Sequence, residues 1–281
     1  MIPRTWLQIQ STVSGFIEHE DLTRGAAIAF YTTFSIGPLL IIVIAIAGLV
    51  FGHDAAEGAI VGQLSGLIGE QSAEIVQTMI QSANRQSSGI VASFIGIATL
   101  LLTATGALTE IQSALNAIWK ATPSAVLSEL VRARLVSLGL VVTLGFLMLV
   151  SLTVSAGLAA LGNYLSAVFS ETGFLISVLN WTISLALISS LFAAIYKILP
   201  DKPIAWRDVA IGSVTTAVLF TIGKSLIGLY IGSTGVASGY GAAGAILILL
   251  LWVYYSAQIF LLGAEYTRAY AEAHGSQAAN R

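Results

Sequence analysis

An all-α polytopic membrane protein is the fold class this sequence predicts, and three observations predict it. Of its 281 residues 56% are hydrophobic and only 9% charged, where a soluble domain carries roughly 25% charged; mean hydropathy is +0.88. Several apolar runs exceed the ~20 residues a helix needs to cross ~30 Å of hydrocarbon. Lys and Arg collect in alternate connections, which fixes an orientation. The expected architecture is one integral membrane domain over 1–281 with six transmembrane helices, near 26–51, 90–119, 135–161, 174–199, 209–231 and 242–266. Both termini are then cytoplasmic, and residues 52–89 form an outer helical cap.

Composition also excludes function classes. A net charge of −2 gives nucleic-acid binding no electrostatic footing. The absence of cysteine removes disulfides, thiolate metal sites and cysteine nucleophiles. His19, His53 and His274 lie far apart in sequence, so no metal or cofactor site is expected.

Residues 1–25 are not a signal peptide, because Glu18, Glu20 and Asp21 stand before an apolar run longer than a signal core. Trp6, Ile9, Val13, Phe16 and Ile17 recur at helical spacing. They predict an amphipathic helix that either lies on the membrane surface or packs against the bundle. The first span contains Pro38, which removes a backbone bond and bends a helix. Tyr31, Thr32 and Ser35 precede it, and their hydroxyls either re-satisfy carbonyls freed by the bend or line a substrate path.

Between the first two spans, Ile60, Val61, Leu64, Leu67 and Ile68 share one helical face. Ile75, Val76, Met79, Ile80 and Ala83 share another, which predicts two short amphipathic helices over one mouth of the bundle. The second span turns polar at Thr103 and carries Glu110 at the hydrocarbon edge, as a solvated helix-end carboxylate or a proton site. Its helix runs on to Trp119 at the interface. Thr122-Pro123-Ser124 is a helix start ahead of the third span, and Pro200 and Pro203 bound a turn between the fourth and fifth.

Ten of the twelve Lys and Arg fall on one side: Arg4, Arg24, Lys120, Arg132, Arg134, Lys197, Lys202, Arg207, Arg268 and Arg281. Only Arg85 falls on the other. The twelfth, Lys224, lies inside the fifth span, roughly 22 Å from its cytoplasmic end. An ionisable group there costs ~2.5 kcal/mol or more unless paired, hydrated or snorkelling. It either anchors the helix at the outer interface or receives an anionic group inside the bundle. The Gly-rich connector 232–241, whose bulky residue is Tyr240, lines a cavity or forms a short outer loop. On the sixth span Tyr254 and Gln258 share a face, as a polar lining or as helix-to-helix hydrogen bonders.

The stretches GAAIAFYTTFSIGPL at 25–39, ALNAIW at 114–119, YKILPD at 196–201, WRDVAIG at 206–212, Gly223-Lys224, YGAAGAILILLLW at 240–252 and LGAE at 262–265 closely resemble the YihY/BrkB family of bacterial inner-membrane proteins. The resemblance covers nearly the whole chain in order. It implies six spans and a bacterial inner-membrane location, in a family described as transporters or virulence-associated factors without an agreed substrate. An old ribonuclease label also attaches to the family, but the sequence carries no soluble catalytic domain, basic groove or metal-ligating constellation for it. The family's Tyr-Tyr in the first span is Phe30-Tyr31 here, so a role resting on both hydroxyls does not transfer.

The leading expectation is a permease or exporter without its own ATPase, since no phosphate-binding Gly-rich motif is present. Its partners would be the lipid bilayer and an anionic lipid, amphiphile or small solute. Tyr31, Thr32, Ser35, Pro38, Glu110, Lys224, Tyr240, Tyr254 and Gln258 are the substrate-path candidates. The alternative is a non-transporting scaffold or envelope assembly factor that binds partner proteins. An enzyme ranks last, because no carboxylate pair, histidine pair or nucleophile with base stands at useful spacing. Oligomeric state and substrate identity are not legible.

Overall fold

The computed structural model describes residues 4–68, 73–74, 77–78, 80–81, 106–121, 173–234 and 242–277. Regular structure among them is entirely helical. α1 (Arg4–Glu18) turns at Glu20, held left-handed at φ 57°, into α2 (Asp21–Phe51). The Glu20 carbonyl accepts the amides of Thr23 at 2.9 Å and Arg24 at 3.1 Å, so backbone and not a side-chain cap meets the free N–H groups of α2. The helix stays intact through Pro38 and ends at Gly52, whose φ of 84° costs glycine nothing. α3 (His53–Ile68) follows at once and packs against α2.

Residues 106–118 form α4, which closes with Lys120 left-handed at φ 49° and the Ala121 amide on the Asn116 carbonyl at 2.8 Å. α5 (Gly173–Ile198) stops just short of Pro200, because the residue before proline is pushed out of the helical region. α6 (Trp206–Thr234) and α7 (Ala242–Ala273) follow. Among the described residues three stretches are long and apolar enough to cross a membrane: Trp181–Ile198, Trp206–Ile231 and Ile246–Ala273. The third span (135–161), the 90–105 part of the second, Tyr240 and most of the second cap helix lie outside the described residues.

α7 is the central element, with α6, α2 and α1 all packed on it. Two glycine–threonine pairs bring α6 and α7 close. A Cβ on Gly212 would overlap Thr267, and one on Gly263 would overlap Thr216. Each threonine returns its hydroxyl to its own helix, Thr216 to the Gly212 carbonyl (2.8 Å) and Thr267 to that of Gly263 (2.7 Å). The reciprocal pairing fixes an antiparallel register and leaves neither of the two threonine hydroxyls idle. Beside it Phe192, Tyr196 and Phe260 stack, and the Tyr196 hydroxyl donates to the Phe260 carbonyl at 2.7 Å. A second core, with Leu40, Ile44, Ile60, Leu249 and Val253, joins α2, α3 and α7.

The outside confirms the solvent. Val214, Val218, Ile222, Leu226 and Leu229 make a continuous exposed aliphatic stripe along α6, a surface that lipid accepts and water does not. α1 is arranged the same way. Gln8, Thr12 and Gly15 face α7, while Trp6, Ile9, Val13 and Ile17 point outward. Of the two expectations for this helix, packing against the bundle is what the structure shows: its polar face packs on α7 and its apolar face looks away from it.

Candidate functional site

Ionisable side chains gather where α1, the start of α2 and the last turns of α7 converge. His19 Nδ1 lies 2.5 Å from Glu265 Oε1, and Arg268 reaches both, at 3.4 Å to His19 Nε2 and 3.9 Å to Glu265 Oε2. Arg268 Nε also holds Glu272 at 2.9 Å. Glu265 is almost wholly buried, and its room is made by Gly15, where a Cβ would overlap the carboxylate. Farther along, Gln8 Nε2 meets His274 Nδ1 at 2.9 Å. The histidines that stand alone in sequence are thus not alone in the fold: two of the three tie α1 to α7.

A guanidinium can only donate. With Arg268 on Nε2, the His19 ring accepts there and its Nδ1–H donates to Glu265, which makes it the neutral tautomer. Burial first and the Arg268 charge second push the His19 pKa below its usual 6.5, in agreement. Asp21, one turn from His19 and outside the apolar part of α2, is fully buried, and neither of its carboxylate oxygens has a hydrogen-bond partner among the described residues. Burial first and the charge of Glu265 second push it up to about 7, against the pull of His19 and Arg24.

The same end of the bundle is cross-linked by polar groups. Asp201 accepts from Asn116 Nδ2 (2.6 Å) and Gln112 (3.1 Å) and returns its amide to Asn116 Oδ1 (2.9 Å). Lys202 donates to the Trp119 carbonyl at 3.1 Å. Asp208, buried in the first turn of α6, takes the Ser276 amide (3.1 Å) and hydroxyl (2.6 Å). The ALNAIW, YKILPD, WRDVAIG and LGAE stretches therefore meet in one place.

The substrate-path candidates do not. Gln258 faces α2, with Nε2 3.4 Å from the Leu22 carbonyl and its amide against Gly25. Tyr254 lies beside the core shared by α2, α3 and α7. Ser35 is buried and donates to the Thr32 carbonyl at 3.1 Å, not to that of Phe34, which Pro38 leaves without its amide. Tyr31 is partly exposed, its ring against Gly106 of α4. Glu110 is neither free nor deeply buried, since it pairs with Arg24 at 3.7 Å with about a quarter of each side chain exposed. Lys224 is half-buried on α6, next to Gly223, which faces Tyr255 and Ile259 of α7. No ion pair reaches Lys224 among the described residues, and no contact joins it to Tyr254 or Gln258 there. Residue groups suited to a metal ion are absent among the described residues.

Sequence reading missed the His19–Glu265–Arg268 cluster, because its members lie 246 positions apart. The available signal was Glu265 itself, a carboxylate at the end of an apolar run with no cation in the preceding turns.

Apolar spans, lipid-facing stripes and an ionic knot at one end define a helical integral membrane protein. The chain belongs to the BrkB family, matching the family described as virulence factor BrkB over residues 12–281. Among curated relatives, a UPF0761 membrane protein of Psychromonas ingrahamii is 32% identical over 258 residues, 87% of this chain and 81% of its own. One from Psychrobacter is 28% identical over 265 residues, 93% of this chain and 48% of its own. The Bacillus subtilis ribonuclease-like protein YfkH is 23% identical over 262 residues, 92% of each. The chain spans about half the length of the Psychrobacter and Ralstonia relatives it matches. No solved structure matches the chain.

Proposed function

We propose that this is an inner-membrane permease or exporter without its own ATPase, moving an anionic amphiphile, lipid or small solute. Six spans with both termini in the cytoplasm are part of the proposal, and ten Lys and Arg against one are its basis. The observation that carries the reading is Lys224: a half-buried ammonium in a span, without an ion pair among the described residues, flanked by a glycine surface. Such a group attracts an anionic headgroup or carboxylate, which would offset its cost of ~2.5 kcal/mol or more. The outer cap, with Ile60 and Ile80 in its core, would shield an acyl chain. Purified protein in liposomes tests this with fluorescent anionic phospholipid and small anions as cargo. Movement that fails in Lys224→Ala supports the proposal; no movement of any cargo, with Lys224→Ala behaving as wild type in cells, removes it.

A scaffold that binds partner proteins is the second reading. What favours it is that Ser35 spends its hydrogen bond on its own helix and Gln258 spends one on the neighbouring α2, instead of presenting them to a path. A deletion phenotype that Lys224→Ala rescues, but a variant with polar residues at Ile75 and Met79 does not, would favour this reading.

A further inference from the structure

Asp21 opens α2, yet it does none of the usual work of an acidic residue in a first helical turn. The amides it would otherwise receive, those of Thr23 and Arg24, are bonded to the Glu20 carbonyl. Its own two oxygens are shielded from solvent and have no donor among the described residues. A carboxylate with neither water nor donor does not keep its charge; it takes up a proton.

A second buried carboxylate lies on the face of α7 that packs against this turn: Glu265 meets His19, two residues before Asp21, and Gln258, two turns along α7, meets Leu22 and Gly25 just after it. The charge of Glu265 therefore weighs on Asp21, and neighbouring carboxylates removed from water do not both ionise readily at neutral pH. Their partners are unequally shared. Glu265 has the His19 N–H at 2.5 Å and Arg268 at 3.9 Å, so it holds the negative charge. Asp21 has no such support and is left to hold the proton. The charged groups around the pair are His19, Glu18 and Arg24 from the α1–α2 turn, Arg268 and Glu272 from α7, and Lys120 from the end of α4. Arg24 does not neutralise Asp21, because its guanidinium is committed to the His19 carbonyl at 2.9 Å, Ser113 at 3.2 Å and Glu110 at 3.7 Å.

We propose that Asp21, backed by Glu265 and His19, is a proton-binding site, loaded when α1 and the first turn of α2 are closed on α7 and emptied when they part. The proton passes between solvent and one Asp21 carboxylate oxygen, and no other bond changes. Closure removes Asp21 from water and brings it to Glu265; opening returns both to solvent, where each ionises on its own. Occupancy of this site is thus tied to the position of α1, whatever the protein carries.

Infrared titration of the full-length protein in lipid nanodiscs tests this directly, because a protonated carboxyl has a carbonyl stretch that a carboxylate lacks. Wild type is expected to show such a band disappearing with a midpoint near pH 7. Asp21→Asn should abolish the titrating band. Glu265→Gln should move its midpoint to lower pH, since the neighbouring negative charge is gone. A wild-type band already absent at about pH 6, or one that persists unchanged in Asp21→Asn, would overturn the proposal. Should Asp21→Asn not fold, the Glu265→Gln arm decides alone, and a midpoint that stays or rises overturns it. A midpoint that moves when sodium and potassium are replaced by a bulky organic cation at fixed pH would mean an alkali-cation site, and would overturn the proton assignment.

Discussion

His19 Nδ1 stands 2.5 Å from Glu265 Oε1, joining the residue that follows the N-terminal helix to the last turns of the central one. The contact depends on Gly15, because any side chain there would displace the carboxylate. It places a buried anion beneath a helix whose outer face is apolar, so α1 is pinned by a polar group as well as by Phe16 packed on the hydrophobic core.

Removing the ring leaves that anion without its closest donor. His19→Ala should therefore weaken docking of α1 by ~1.5–3 kcal/mol, the usual worth of a hydrogen bond to a charged group. His19→Asn, whose amide still donates, should recover part of this. Limited proteolysis of the α1–α2 turn in nanodiscs measures it: faster cleavage in His19→Ala than in His19→Asn is expected, and equal rates contradict the pairing.

Docking of α1 should depend on pH with a defined sign. Asp21 rises from an ordinary 3.8 to about 7 in the closed form, so the closed form binds more protons between those values. Its contribution is present in full below about 4 and is lost as pH rises through about 7. His19, lowered by burial and then by Arg268, acts oppositely: its contribution is present above 6.5 and is lost as pH falls through its lowered value. A fluorophore on Ser14→Cys, on the exposed side of α1, reports both. The Asp21 term should favour undocking progressively as pH rises from about 4 to about 7 and change no further above that, and Asp21→Asn should lose that limb while keeping the opposite one set by His19.

The α6–α7 register predicts a specific epistasis. Gly212→Ala drives a methyl into Thr267, and overpacking of this kind costs ~1–3 kcal/mol. Thr267→Ala in the same chain should restore most of the loss. Thermal unfolding of the two single variants and the double variant measures the coupling; additive losses would show that the helices do not meet at this pair.

Much of this architecture was legible from residues. Long apolar runs give the α5, α6 and α7 helices because length and hydropathy are local properties, and Pro200 stops α5 where proline must. The amphipathic pattern of α1 was also legible, but its orientation was not. Which face packs depends on Glu265 and His274, which come at the far end of the chain. For the same reason the shared face of Tyr254 and Gln258 reads as a polar lining or as a helix-to-helix surface, and only the packing shows Gln258 against Leu22 and Gly25 of α2. Periodicity places residues on one helix; it does not place helices against each other.

The outward face of α1 predicts contact with lipid. Trp6 is more than half exposed, in line with Ile9, Val13 and Ile17. Its fluorescence, taken as the difference between wild type and Trp6→Phe, should be quenched in vesicles of brominated phospholipid. A difference spectrum insensitive to bromine would mean that this face is covered by something other than lipid.

Because the chain has no cysteine, Lys224→Cys tests the transport reading most directly. Its reactivity toward a membrane-impermeant thiol reagent is measured from each face, with Ser233→Cys and Ser124→Cys as the outer and inner controls. A path with alternating access predicts labelling of position 224 from both faces. Protection from both faces, with the controls labelled as expected, would contradict it.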